Sequence, residues 1–204
     1  VKRSLIILLL ILSNACWSYA DAPKEHRLLI VLDASNNMLG TWAENITRYQ
    51  AASEFITRLA DSIYAANPEV SIAIRAYGHT FPANYDNCKD SRTEVIFGKN
   101  NRIQIDLRLK DIKPKGKPAL SFAIKQIAEV DMSFAPQSSH CFSIIFVTAS
   151  ENTCDDDYCA YTKSLLNSNV VSNKFVISMK DNERMQTQFD CLGRYLPVTD
   201  IEKM

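Results

Sequence analysis

Asp33, Ser35 and Asn37 stand at alternate positions on a polar stretch that follows the apolar run Leu28 to Leu32. Each carries a side-chain oxygen. A buried strand that opens into such a turn places these oxygens at its carboxyl end, where open α/β sheets bind ligands. Bond-breaking chemistry is poorly supplied. His26, His79 and His140 are the only histidines, and no local motif sets one beside Ser35 as a triad would need. Glu151 is the one carboxylate next to the later stretch Val147 to Ser150, and one acid makes no acid/base pair. Asp155, Asp156 and Asp157 form an acidic run that would either bind calcium or form a solvated surface. Cys154 and Cys159 flank it, but no second pair or histidine cluster completes a tetrahedral zinc site. The residues therefore give little support to an enzyme. A hydrolase of unknown type built on the acidic loop is the enzymatic alternative, supported only by generic polar residues.

The elements that must position these groups follow from periodicity. Leu28 to Leu32 reads as a buried strand. Tyr49, Ala52, Phe55, Ile56, Leu59 and Ile63 recur at helical spacing, which predicts a helix over about 47–65. Asn67-Pro68 ends it. Val70, Ile72, Ile74 and Ala76 alternate as a strand up to Gly78. A polar loop from His79 to Arg92 leads to a short strand, Glu94 to Phe97, expected antiparallel at a sheet edge. Between Arg102 and Ile112 the apolar residues fit either a strand or a helix face, with Asn100 or Asn101 available as a cap. Pro118 opens a further helix with Leu120, Ile124 and Ile127 as its stripe. Phe142 to Thr148 predicts a central strand. A helix over 160–166, a strand over 175–179, a helix carrying Met185, Phe189 and Leu192, and a last strand over 195–199 complete the order. The expectation is an α/β fold: a doubly wound, mostly parallel sheet with helices on both faces.

The chain has 204 residues, which suits one domain with a sizeable core. Lys plus Arg and Asp plus Glu are both 23, so the formal charge is zero and neither nucleic acid nor an anionic membrane is expected as partner. Lys2 and Arg3, the short apolar core Leu5 to Leu12, and Ser18-Tyr19-Ala20 predict a secretory signal peptide over residues 1–20, leaving a single domain over 21–204. Removal of that segment leaves no membrane insertion, and the mature protein is expected to be periplasmic or secreted. Six cysteines are present, and Cys16 leaves with the signal. An oxidising compartment favours disulfides among the others, with an odd one over.

Several stretches, in this order, resemble the motifs of von Willebrand factor A domains. They are Asp33-Ala34-Ser35-Asn36-Asn37, Ala76-Tyr77-Gly78-His79, Lys115 to Leu120, and Val147 to Cys154. The resemblance covers nearly all of the chain after residue 26 and implies a helix over 102–112. It also implies a function in protein interaction or adhesion, with a protein as partner. In that family a metal-ion-dependent adhesion site joins three loops, and magnesium or manganese bound there takes a carboxylate from the partner. Asp33 and Ser35 match the first two ligands. Asn37 replaces a serine, Lys117 a threonine and Ala149 an aspartate, with Glu151 close by. The site is thus expected to be degenerate and to bind no metal cofactor. The alternative is a weak magnesium or manganese site completed by the partner. Two arrangements of Lys117 are open: its ammonium takes the cation's place and pairs with Asp33, or it extends into solvent. His79 is expected to order a loop or lie on the surface. The resemblance to the bacterial members also implies a short Cys154–Cys159 staple and a Cys88–Cys191 bridge, leaving Cys141 as a free thiol.

Overall fold

The computed structural model describes residues 25–133, 140–154, 157–166 and 171–200. The expected signal segment lies outside the described residues, as do Asp155 and Asp156 of the acidic run. The strands in chain order are β1 (Glu25–Asp33), β2 (Thr41–Ala43), β3 (Ile46–Thr47), β4 (Ser71–Tyr77), β5 (Ser91–Gly98), β6 (His140–Thr148), β7 (Val171–Ser178) and β8 (Arg194–Pro197). Six of them form one sheet in the order β5-β4-β1-β6-β7-β8. Every pairing in it is parallel except β4 with β5, so the expected antiparallel strand is indeed at an edge.

The two central strands, β1 and β6, carry the longest unbroken apolar runs of the sheet. In β1 successive side chains point to opposite faces. Leu28, Ile30 and Leu32 enter one core beneath α1 (Arg48–Ala66) and α2 (Arg102–Asp111). Leu29 and Val31 enter a second core, covered by α3 (Leu120–Gln126), α4 (Tyr158–Leu166) and α5 (Glu183–Phe189). Burial on both faces is why β1 reads as an unbroken apolar run. The doubly wound architecture is the one expected.

Local chemistry sets the ends of the elements. Thr47 and Gln50 form a reciprocal capping box that starts α1. The ambiguous segment is helical: Ile105 and Leu109, four apart, are buried, while Ile103 and Leu107 face solvent. Its expected asparagine cap is different in detail. Asn101 occupies the cap position without a side-chain cap bond. Its amide donates instead to the Ile72 carbonyl at 2.8 Å, and its oxygen accepts from the Tyr64 hydroxyl at 2.6 Å. α3 begins two residues after Pro118, at Leu120. His26 and His140 lie within β1 and β6, and the His140 imidazole meets Glu25 at 3.0 Å. The small β2–β3 hairpin was not expected. Trp42 fixes it over the end of β8, its indole N–H donating to the Val198 carbonyl at 2.8 Å.

Candidate functional site

Asp33 is the last residue of β1 and is wholly buried. β6 is its neighbour strand, with Leu32 opposite Val147, so Thr148 comes beside Asp33. The Thr148 hydroxyl donates to Asp33 Oδ2 at 2.9 Å. The Ala149 amide points to the same oxygen at 3.4 Å. Asp33 Oδ1 accepts the Ser35 amide at 2.8 Å. Thr148 in turn accepts from the Tyr77 hydroxyl at 3.3 Å and from the Ser150 amide at 3.1 Å. Burial first, and then the negative charge of Asp33, push the Tyr77 phenol well above its ordinary range, which keeps it a neutral donor. The Ser35 and Ser150 hydroxyls, both buried, pair at 3.0 Å. The carboxylate thus sits in a closed network of uncharged donors.

Backbone contacts draw the surrounding loops together. The Ala34 amide donates to the Tyr77 carbonyl at 2.8 Å, the Asn36 amide to Gly116 at 2.8 Å, and the Gly116 amide to Gly78 at 2.8 Å. Such close approach requires glycine at two positions. A Cβ on Gly116 would lie 2.6 Å from the Phe81 carbonyl oxygen. Gly78 has φ +75, and its Cβ would lie 2.6 Å from the Lys117 oxygen.

Asp33, Ser35 and the Ala149 backbone therefore come together, and Ser150 joins them. Asn37, Lys117 and Glu151 do not enter this network. Asn37 is exposed, and its carbonyl accepts from Arg48 at 3.0 Å. Glu151 accepts from the Asn182 amide at 3.2 Å. The Lys117 ammonium pairs with the exposed Asp86 at 2.5 Å, which corrects the expectation of a Lys117–Asp33 pair; the side chain turns outward, as in the other arrangement, but is held there by an ion pair. The reason is reach: Asp86, in the loop after β4, is an exposed carboxylate, whereas Asp33 lies sealed beneath the Thr148 and Ser35 contacts. His79 is buried, not on the surface, and its Nε2 lies 2.8 Å from Glu94. Burial would push the Glu94 carboxyl up, but hydrogen bonds from His79 and Arg92 outweigh it and hold it at about 2.

The expected disulfides are differently paired. Cys88 bonds Cys154, and Cys159 bonds Cys191. Cys154 and Cys159 belong to different structural units. Cys159 is in the first turn of α4 and faces the turn after α5, with a Cα separation of 5.7 Å to Cys191. Cys154 precedes α4 and reaches the loop after β4, with a Cα separation of 5.9 Å to Cys88. Cys141 is not a free thiol. The Cys88–Cys154 bridge ties two of the loops that frame Asp33.

Magnesium or manganese requires about six oxygen ligands in octahedral geometry, with carboxylate charge among them. The donors here do not fit it. Both Asp33 oxygens already accept protein hydrogen bonds, the Ser35 hydroxyl is paired, and Ala149 has no side-chain oxygen. Lys117 carries a positive charge where the family has a hydroxyl. Among the described residues no group of three or more His, Cys, Asp or Glu could hold a metal ion.

Sequence reasoning missed Thr148 as the donor to Asp33 and Tyr77 as the donor to Thr148. Both lie inside stretches that carry the family resemblance, but only the strand order makes them neighbours of Asp33.

No protein-family model matches this sequence, and no curated protein matches it. Solved structures do. BatB from Bacteroides thetaiotaomicron, a conserved hypothetical protein, is 20% identical with a TM-score of 0.64, over 85% of this chain and 90% of that chain. The VWA domain of SpRpn10 is 14% identical with a TM-score of 0.65, over 86% of this chain and 89% of that chain. The PilB minor pilin from Streptococcus sanguinis is 10% identical with a TM-score of 0.64, over 91% of this chain and 60% of that chain. The chain has the von Willebrand factor A fold.

Proposed function

We propose that this von Willebrand factor A fold acts as an exported protein-interaction module, of adhesion type, that works without a metal ion and performs no catalysis. The observation that carries the reading is the closed network at Asp33. Where the family has a cation, this chain supplies a threonine hydroxyl and two backbone amides. Metal coordination would have to displace contacts that already satisfy a buried carboxylate, and a buried charge stripped of its partners is costly. Around this rigid centre the loops present apolar groups to solvent. Phe81 and Tyr85 are exposed, with ring centroids 6.4 Å apart, and Leu39 is exposed on the turn after Ser35. Aromatic residues on a rigid frame are what protein interfaces favour. A minor pilin shares the fold. Export is supported by the Cys88–Cys154 and Cys159–Cys191 disulfides, which persist in oxidising compartments. No helix among the described residues is long and apolar enough to cross a membrane.

The test is capture of partners from a bacterial envelope extract, with and without chelator. The same band should be retained in both conditions and lost in the Phe81→Ala/Tyr85→Ala variant, whose melting temperature should be unchanged. A band that disappears with chelator would contradict the metal-free part. A band that survives both substitutions would contradict the placement of the interface.

A further inference from the structure

One charged region takes no part in the network at Asp33. A cleft of ≈ 270 Å³ lies between β5, the end of α2 and the segment that follows it. Arg92, Arg108, Lys113 and Lys115 line it, against the two carboxylates Glu94 and Asp111. The chain as a whole has equal numbers of cationic and anionic residues, so this positive excess is local. The carboxylates are already engaged. Glu94 binds Arg92 at 2.6 Å and the buried His79, and Asp111 faces Arg108 at 3.9 Å. Lys113 bonds only the Lys110 carbonyl, and among the described residues neither Lys113 nor Lys115 pairs with a carboxylate. His79 lines the same cleft and is buried. Glu94 takes its Nε2, while Nδ1 has no hydrogen-bond partner among the described residues.

Ile112 and Lys113 also line a second cavity of ≈ 470 Å³, whose walls include Tyr49, Leu109 and Pro114 and the carboxylates Glu54 and Asp106, which already pair with Arg58 and Lys110. At its other end the cleft adjoins the candidate site. The Lys115 amide donates to the Ala34 carbonyl at 3.3 Å and its carbonyl accepts from Ala83 at 2.9 Å, one residue before Gly116 pairs with Ser35.

We propose that this cleft is the acidic-ligand site of the module: it binds the carboxylates of an acidic segment of a protein partner, with an apolar side chain of that segment in the adjoining cavity. The proposal rests on the interaction-module reading and names the chemistry of its partner. Unpaired ammonium groups and guanidinium groups held by neighbouring carboxylates form charge-assisted hydrogen bonds with incoming carboxylates. The small volume suits single side chains rather than a nucleotide. Glu94 and Asp111 at the walls disfavour a phosphate dianion more than a carboxylate, because like-charge repulsion scales with the ligand charge.

The experiment maps amide shifts of the isotope-labelled protein on adding one of three probes: a capped peptide of four glutamates around one leucine, its glutamine counterpart, or inorganic phosphate. The glutamate peptide should shift Thr80, Glu94, Lys113 and Lys115. Its affinity should fall about tenfold, or 1.4 kcal/mol, in Lys113→Gln/Lys115→Gln, and should fall again with added salt. Both lysines are exposed, so that variant should keep its melting temperature. Equal binding of the glutamine peptide, tighter binding of phosphate than of the peptide, or an unchanged affinity in the double variant would each overturn the proposal. A cleft signal that requires magnesium would sink the metal-free reading and leave this site standing. No cleft signal in a protein indifferent to magnesium would sink this proposal alone.

Discussion

Two buried carboxylates are held in opposite ways. Asp131 ends the turn after α3, and Arg75 of β4 grips it through Nε at 2.5 Å and a terminal nitrogen at 2.9 Å. The terminal nitrogens of Arg75 also donate to the Ser91 and Thr93 hydroxyls at 3.2 and 2.7 Å. The side chains of Arg75 and Asp131 are 2% and 4% exposed. Asp33, by contrast, is 0% exposed, and among the described residues no cationic side chain pairs with it. Its donors are Thr148, Ser35 and Ala149. Asp131 is compensated by opposite charge, as buried ions usually are. Asp33 is compensated by dipoles alone. The difference teaches that a buried carboxylate in this fold does not require a cation: dipoles at the end of β1 serve Asp33 where a guanidinium serves Asp131.

The comparison can be broken first at Arg75. Arg75→Met leaves Asp131 buried without its cation and should cost about 3–5 kcal/mol in denaturant unfolding. Adding Asp131→Leu should recover most of that loss, because an apolar replacement of the whole pair is close to neutral. If the double variant is no more stable than the single, the pair is not the unit described here. A smaller effect is expected at Asp33. Thr148→Val removes the hydroxyl that bonds Asp33 and accepts from Tyr77, and should cost about 1–3 kcal/mol. A cost below a few tenths would mean that water or another group already serves Asp33. A cost above that of Arg75→Met would invert the comparison.

Much of this was legible in the sequence. Unbroken apolar runs located β1 and β6, alternation located β4 and the 3.6 period located α1, because β1 is buried on both faces and α1 on one. The antiparallel edge position of β5 was also foreseen. Strand order was not, and with it went Thr148: no local feature ties residue 148 to residue 33 until β6 lies beside β1. The disulfides fail for the same reason. Cys154 and Cys159 are close in sequence, yet the start of α4 turns them to different neighbours, Cys88 and Cys191. For Lys117 the motif fixed the backbone position but not the direction of a long, flexible side chain. Asp86, 31 residues earlier, decided it.

The central claim is that protein donors, not a cation, satisfy Asp33. Calorimetric titration with magnesium and manganese tests it most directly, using the unmodified protein beside Lys117→Thr/Ala149→Asp. The account predicts no binding heat and no change in melting temperature on chelation for the unmodified protein, and measurable magnesium binding by the double variant, which restores a hydroxyl and a second carboxylate. Micromolar magnesium binding by the unmodified protein, or a melting temperature that falls when chelator is added, would contradict it.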